Sequence, residues 1–283
     1  MATTYDKASL VMIPSGVKES KLYSVKPTDG SGDFTFSRGT DTATRVNSSG
    51  LIEKERSNQL LQSETFGTTW SPTRASVTEN TTTDPNGSNN ADSLIEDGTA
   101  SNLHYLNQSI SAVSGVYTYS VYAKANTRSQ IQLAAMGGTT SMARGYDLSS
   151  GTLFSESIGG VVSNNIDQSI TDVGGGWYRC SMTWNATGQT NVWIVLSVAN
   201  TATYSGDNTS GVYIWGAQLE EGLVATDYIE TTTAAVYEGI TDNLPRLDYS
   251  GGASCPSLLL EPSRTNLLEQ SEYFGDSYWT KTN

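Results

Sequence analysis

The chain holds one histidine, so any Ser–His–Asp or Cys–His nucleophilic arrangement must run through His104. That residue sits in Asn102-Leu-His-Tyr-Leu106, between apolar residues that read as strand, and no partner group stands at motif spacing. A structural role is the expectation. Glu220 and Glu221 are candidates for the two carboxylates of a glycosidase. Neighbours on a strand point to opposite faces, however, which is poor geometry for two groups flanking one glycosidic bond. No catalytic residue is assigned, and the chain is expected not to be an enzyme. Cys180 and Cys255 form no CxxC pair and are too few, with one histidine, for a zinc site. Cys180 lies in an alternating apolar run and reads as a buried, reduced thiol. Spacing gives a Cys180–Cys255 disulfide no support. No cofactor is expected beyond a structural calcium, for which Asp207-Asn208, Asp84 with Asn86, and Asp97 could offer oxygen ligands. None of these has EF-hand spacing, and Asp and Asn in turns also serve the backbone.

The remaining chemistry is aromatic. Sugars are held by ring faces that stack on C–H surfaces and by amides and carboxylates that meet hydroxyls. The sequence has 6 Trp and 15 Tyr. Trp193 is opposite in parity to Val192, Ile194, Leu196 and Val198, so it faces away from a core built on those residues. Tyr122 is out of phase with Tyr119 and Val121 in the same way. Trp193 and Tyr122 are the candidate ligand-binding residues, whereas Trp177, Trp184 and Trp215 read as packing.

The elements that must carry these residues are strands. Only 16% of the 283 residues are charged, and Ser, Thr, Asn and the 27 glycines dominate. That composition suits hydroxyl-rich strands and turns rather than helices. Val116–Lys124, Gln130–Ala135, Trp177–Trp184, Asn191–Val198 and Gly211–Leu219 alternate with period two and are separated by Gly, Asn and Asp turns. They predict an all-β, antiparallel two-sheet β-sandwich, jelly-roll-like, with an extended N-terminal arm. Arg56–Phe66 is the one short helix candidate. The domains expected are the arm, 1–50, the sandwich, 51–235, and a linker with the opening of a second copy, 236–283. The second copy rests on a repeat. Arg56-Ser-Asn-Gln-Leu-Leu-Gln-Ser-Glu-Thr-Phe66 returns as Arg264-Thr-Asn-Leu-Leu-Glu-Gln-Ser-Glu-Tyr-Phe274, and Thr44-Arg-Val-Asn47 as Pro245-Arg-Leu-Asp248. The net charge of −13 disfavours nucleic acid and anionic membrane surfaces as partners. No secretory signal and no run of eighteen apolar residues is visible.

Several phrases together resemble a module of tailed-bacteriophage virion proteins. They are Arg264-Thr-Asn-Leu267, Tyr117-Thr-Tyr-Ser-Val-Tyr-Ala-Lys124, Gly176-Trp-Tyr-Arg179, Tyr204-Ser-Gly-Asp207 and Gly211-Val-Tyr-Ile-Trp-Gly-Ala-Gln-Leu-Glu-Glu221. Leu10-Val-Met-Ile-Pro-Ser-Gly16 and Gly32-Asp-Phe-Thr-Phe-Ser-Arg38 are similar to the segment that precedes it. The resemblance implies a carbohydrate-binding-module-like or concanavalin-like sandwich in a tail-fibre, head-fibre or surface protein of the virion. It also implies an arm for attachment, other virion proteins and host-surface glycans as partners, and a homo-oligomer, usually a trimer. The alternatives are a structural decoration or connector protein that binds only virion proteins, and a polysaccharide-degrading tail enzyme.

Overall fold

The computed structural model describes residues 3–18, 21–35, 45–46, 49, 52–53, 56–155, 158, 165–238, 247–250 and 257–258. The chain divides into two units, Ser57–Val236, and Met1–Arg56 together with Tyr237–Asn283. Cys255, the Arg264–Phe274 repeat and the opening of the proposed second copy lie outside the described residues, apart from the short strands named below.

The smaller unit opens with a single helical turn, α1 (Thr4–Lys7). Thr3 and Asp6 form a reciprocal capping box, each side chain bonding the other's backbone N–H at 2.7 and 3.3 Å. Strands β1 (Val11–Lys18), β2 (Lys21–Lys26) and β3 (Phe34–Thr35) then make an antiparallel sheet in that order. Ile13, Tyr23, Val25 and Phe34 are exposed on it. β4 (Arg45–Val46) pairs with β5 (Ile52–Glu53) as a small antiparallel ribbon.

The larger unit is the sandwich. Its strands are β6 (Arg56–Asn58), β7 (Ser71–Thr73), β8 (Ala75–Thr82), β9 (Ala91–Glu96), β10 (Asn102–Leu103) and the 21-residue β11 (Tyr105–Ala125). There follow β12 (Gln130–Gly137), β13 (Met142–Asp147), β14 (Thr152–Phe154), β15 (Asn165–Gly174), the 21-residue β16 (Trp177–Ser197), β17 (Thr203–Tyr204) and β18 (Gly211–Glu221). After it come β19 (Val236–Glu238), β20 (Leu247–Asp248) and β21 (Ser257–Leu258), of which β20 and β21 pair.

The two long strands explain how one hydrogen-bonded sheet becomes two layers. The second half of β16 pairs with β12 and with the start of β11, while its first half pairs with β15 and the end of β11. β11 in turn passes its second half to β18. Register shifts between Ser109 and Ser114 mark the bend. Tyr146 of β13 reaches the other layer, donating its hydroxyl to the Ser181 carbonyl at 2.7 Å. Between the layers lies one core, with Leu106, Ile131, Leu133, Val192 and Ile194 from one side and Tyr119, Val121, Cys180, Met182 and Trp184 from the other. Each is an alternate residue of its strand, so the period-two pattern and the core coincide. Cys180 is free and fully buried there, and burial pushes its thiol pKa far up.

Arg56–Phe66 is not helical. After β6 the segment is laid against β18 and the 229–232 turn by its own polar groups. Buried Asn58 donates from Nδ2 to the carbonyls of Ala217 (2.9 Å) and Ile229 (2.8 Å), and its Oδ1 accepts from Leu60 N and Leu219 N. Ser63 N donates to Thr231 O, and Thr231 N returns a bond to Ser63 Oγ at 2.8 Å. A helix would have spent those backbone groups internally. Leu60, Phe66 and Trp70 then enter the core as a clasp.

Candidate functional site

The inward alternation of β11, β15, β16 and β18 leaves a second, hydroxyl-rich set of residues on the other face of the same layer. Cross-strand register brings them together. Tyr122 of β11 stands opposite Arg179 of β16, and Arg179, Ser181 and Thr183 stand opposite Thr171, Ser169 and Asp167 of β15. The Thr118 and Thr183 hydroxyls share a hydrogen bond of 2.8 Å, as do Ser169 and Ser181. Val224 and Ala225 close one side, and the groove measures about 330 Å³. Thr183 Oγ1 donates to Leu223 O at 3.3 Å, and Thr226 is bonded to buried Glu220, so the closing loop is anchored.

Arg179 is the groove's cation. Its guanidinium lies 5.3 Å from the Tyr122 ring centroid, and Nη2 donates to Ser120 Oγ at 3.1 Å. Its Nε is buried without a protein partner, and no carboxylate pairs with Arg179 among the described residues. Behind Tyr122 lies an aromatic cluster. Trp215 meets it edge-on at 5.2 Å and Tyr228 at 6.0 Å, with Trp177 and Ala91 beneath. Gly216 makes this packing possible. Its φ is +59°, and a Cβ there would come within 2.9 Å of the Tyr122 ring. Tyr228 donates or accepts at Ser63 Oγ, 2.6 Å away, which ties the cluster to the Asn58 clasp.

Trp193 also faces away from the core, but on the other layer. It stacks on Tyr105 at 4.1 Å and 8°, packed against Ala134, Ala143, Ile158 and Val195. It therefore lies toward the far end of β16 from Arg179, and the structure does not bring Trp193 and Tyr122 into one site. Trp177, Trp184 and Trp215 are all buried.

The other candidates resolve into structure. His104 is fully buried, its Nδ1 2.7 Å from Arg74 O and 3.3 Å from Asp97 Oδ1, and among the described residues no hydroxyl or thiol is hydrogen-bonded to it. Glu220 is buried on Gln218 and Thr226 while Glu221 is exposed, as alternation requires. Each carboxylate of the calcium candidates is committed to backbone N–H groups: Asp84 to Asn86 and Ser88, Asp97 to Thr99, Asp207 to Thr209 and Ser210. These are Asx turns. The Thr99 bonds lower the pKa of Asp97, and the Ser210 hydroxyl, with the Thr209 and Ser210 N–H groups, holds Asp207 well below the usual carboxylate range. Among the described residues no group of three His, Cys, Asp or Glu could hold a metal. A node that sequence reading missed is Glu96, whose buried carboxylate binds Arg128, Tyr204 OH (2.6 Å) and Asp207 N (3.1 Å). Only tertiary pairing unites those four positions. No helix among the described residues is long and apolar enough to cross a membrane.

No family model matches the chain, and no curated protein does. Similar solved structures include the enzymatically active domain of tailspike protein 4 of bacteriophage CBA120, at 12% identity and a TM-score of 0.35, covering 57% of this chain and 21% of that one. An exo-beta-agarase is similar at 12% identity and a TM-score of 0.36, covering 60% of this chain and 25% of its own. The chain thus matches about a quarter or less of the length of either protein. The expectation that the chain is not an enzyme does not stand against these neighbours, both described as catalysts. At such TM-scores the likeness assigns no activity to this chain.

Proposed function

We propose that the Ser57–Val236 sandwich recognises carbohydrate as part of a phage particle, with the Tyr122–Arg179 groove as the ligand face. The observation that carries this reading is the groove itself. It has an aromatic wall, a guanidinium, a carboxylate at Asp167 and a row of hydroxyls, the mixture a polyhydroxylated ligand needs. Trp193 with Tyr105 would be a separate aromatic contact on the other layer. Residues 1–50 would attach the chain to other virion proteins, and the exposed apolar side chains of β1–β3 suit such a contact. Host-surface glycans are the ligand class, and a homo-oligomer is the working form.

The test is an array of bacterial surface polysaccharides probed with the full chain, with the same incubations read for new reducing ends. Reproducible retention that falls at least tenfold in Tyr122→Ala supports the reading. A silent array alongside capture by purified particle proteins would leave a decoration role instead. Release of reducing ends would make the groove a place of cleavage as well as binding.

A further inference from the structure

Within a chain of net charge −13, the groove presents a guanidinium that forms no ion pair among the described residues. Taking a guanidinium partly out of water without an acidic partner is costly, and structures normally compensate it with a carboxylate. Arg128, another partly buried arginine of this unit, has that compensation from Glu96 and Asp207. Among the described residues Arg179 has the Ser120 hydroxyl and the Tyr122 ring, which orient it without neutralising it. Asp167 stands at the Thr183 register, four residues along β16 from Arg179, or roughly 13 Å at the usual strand rise. The groove is therefore polarised, cationic at the Tyr122 end and anionic at the Asp167 end, with Ser169 and Ser181 between.

We infer that the groove selects an acidic saccharide, seating a sugar carboxylate on the Arg179 guanidinium and neighbouring hydroxyls on Ser169, Ser181 and Asp167. This rests on the glycan-binding reading. A planar fork held by a ring and a hydroxyl is preorganised for a planar carboxylate, which a lysine would bind as a point charge only. Asp167 accepts from sugar hydroxyls and repels a second anionic group, which fixes the direction in which the saccharide lies.

The test prints each polysaccharide of the array twice, native and after reduction of its uronic carboxyls to the neutral sugar. Retention by the full chain is expected to favour the native form at least tenfold. Arg179→Gln should bring that ratio to about one while retaining residual binding of the reduced form. Arg179→Lys, which keeps charge and folding, should lose most of the preference. Equal retention of the two forms by the wild-type chain would overturn the inference and leave glycan binding intact. So would a preference that survives Arg179→Gln. Retention of neither form would overturn the glycan reading together with it.

Discussion

Asn58→Ala is the perturbation whose cost the structure specifies most closely. Asn58 is fully buried and makes four hydrogen bonds, two as donor to Ala217 O and Ile229 O and two as acceptor from Leu60 N and Leu219 N. Truncation leaves two backbone N–H groups and two carbonyls facing a space the size of an amide. A net loss of about 1 kcal/mol per bond, raised where a buried group is left unpaired, gives about 3–5 kcal/mol. Against the roughly 5–15 kcal/mol of a typical domain, that is about a fifth of the total or more. Urea unfolding followed by tryptophan fluorescence should show the midpoint falling with an unchanged slope. Asn58→Asp keeps both acceptor bonds but turns a carboxylate toward two carbonyls, so it should be no better than Ala. A loss below about 1 kcal/mol in both variants would refute the clasp as the element that fastens residues 58–70 to the sandwich.

Gly216→Ala should push the Tyr122 ring from its seat, costing about 1–2 kcal/mol by melting and lowering glycan retention more than stability accounts for. Arg128→Met should cost about 3 kcal/mol in urea because it strands the buried Glu96 carboxylate, and Glu96→Gln in the same background should recover part of it. Asp207 has a depressed pKa from its Ser210 and Thr209 bonds, so its contribution is present above the unfolded value near 4 and is lost as pH falls below it. Asp207→Asn should therefore narrow the gap between stabilities measured at pH 7 and pH 3. Asp92 is opposite in sign. Burial raises its pKa, so stability gained from it increases as pH falls through the folded value, and Asp92→Asn should flatten that rise.

Much of the sandwich was legible because its residues obey one rule. Tyr117, Tyr119, Val121, Ala123, Cys180, Met182 and Trp184 alternate in sequence and are buried in the structure. The outward direction of Tyr122 followed from the same parity. The length of β11 and β16 did not, since a strand that bends through a register shift loses its period at the bend, as at Ser109–Ser114. β15 was invisible, because Asp167, Ser169 and Thr171 face the groove and only partly buried Ile170 packs against the core. Helical parity misled at Arg56–Phe66, where Leu60 and Phe66 are buried through side-chain clamps rather than a helix. Alternation along Trp177–Trp184 turns Arg179 away from Cys180 and Met182, but its union with Tyr122 and Ser120 is a matter of register between strands far apart in sequence, which periodicity does not encode.

Hydroxyl-radical footprinting of the full chain, with and without the polysaccharide it retains best, bears most directly on where the ligand sits. Protection should concentrate on Tyr122, Val224 and Val173, the last a further residue of the groove lining, with Trp193 and the β1–β3 sheet labelled as before. Protection confined to Trp193 and Tyr105, or to the apolar side chains of β1–β3, would contradict the assignment of the ligand face to this groove.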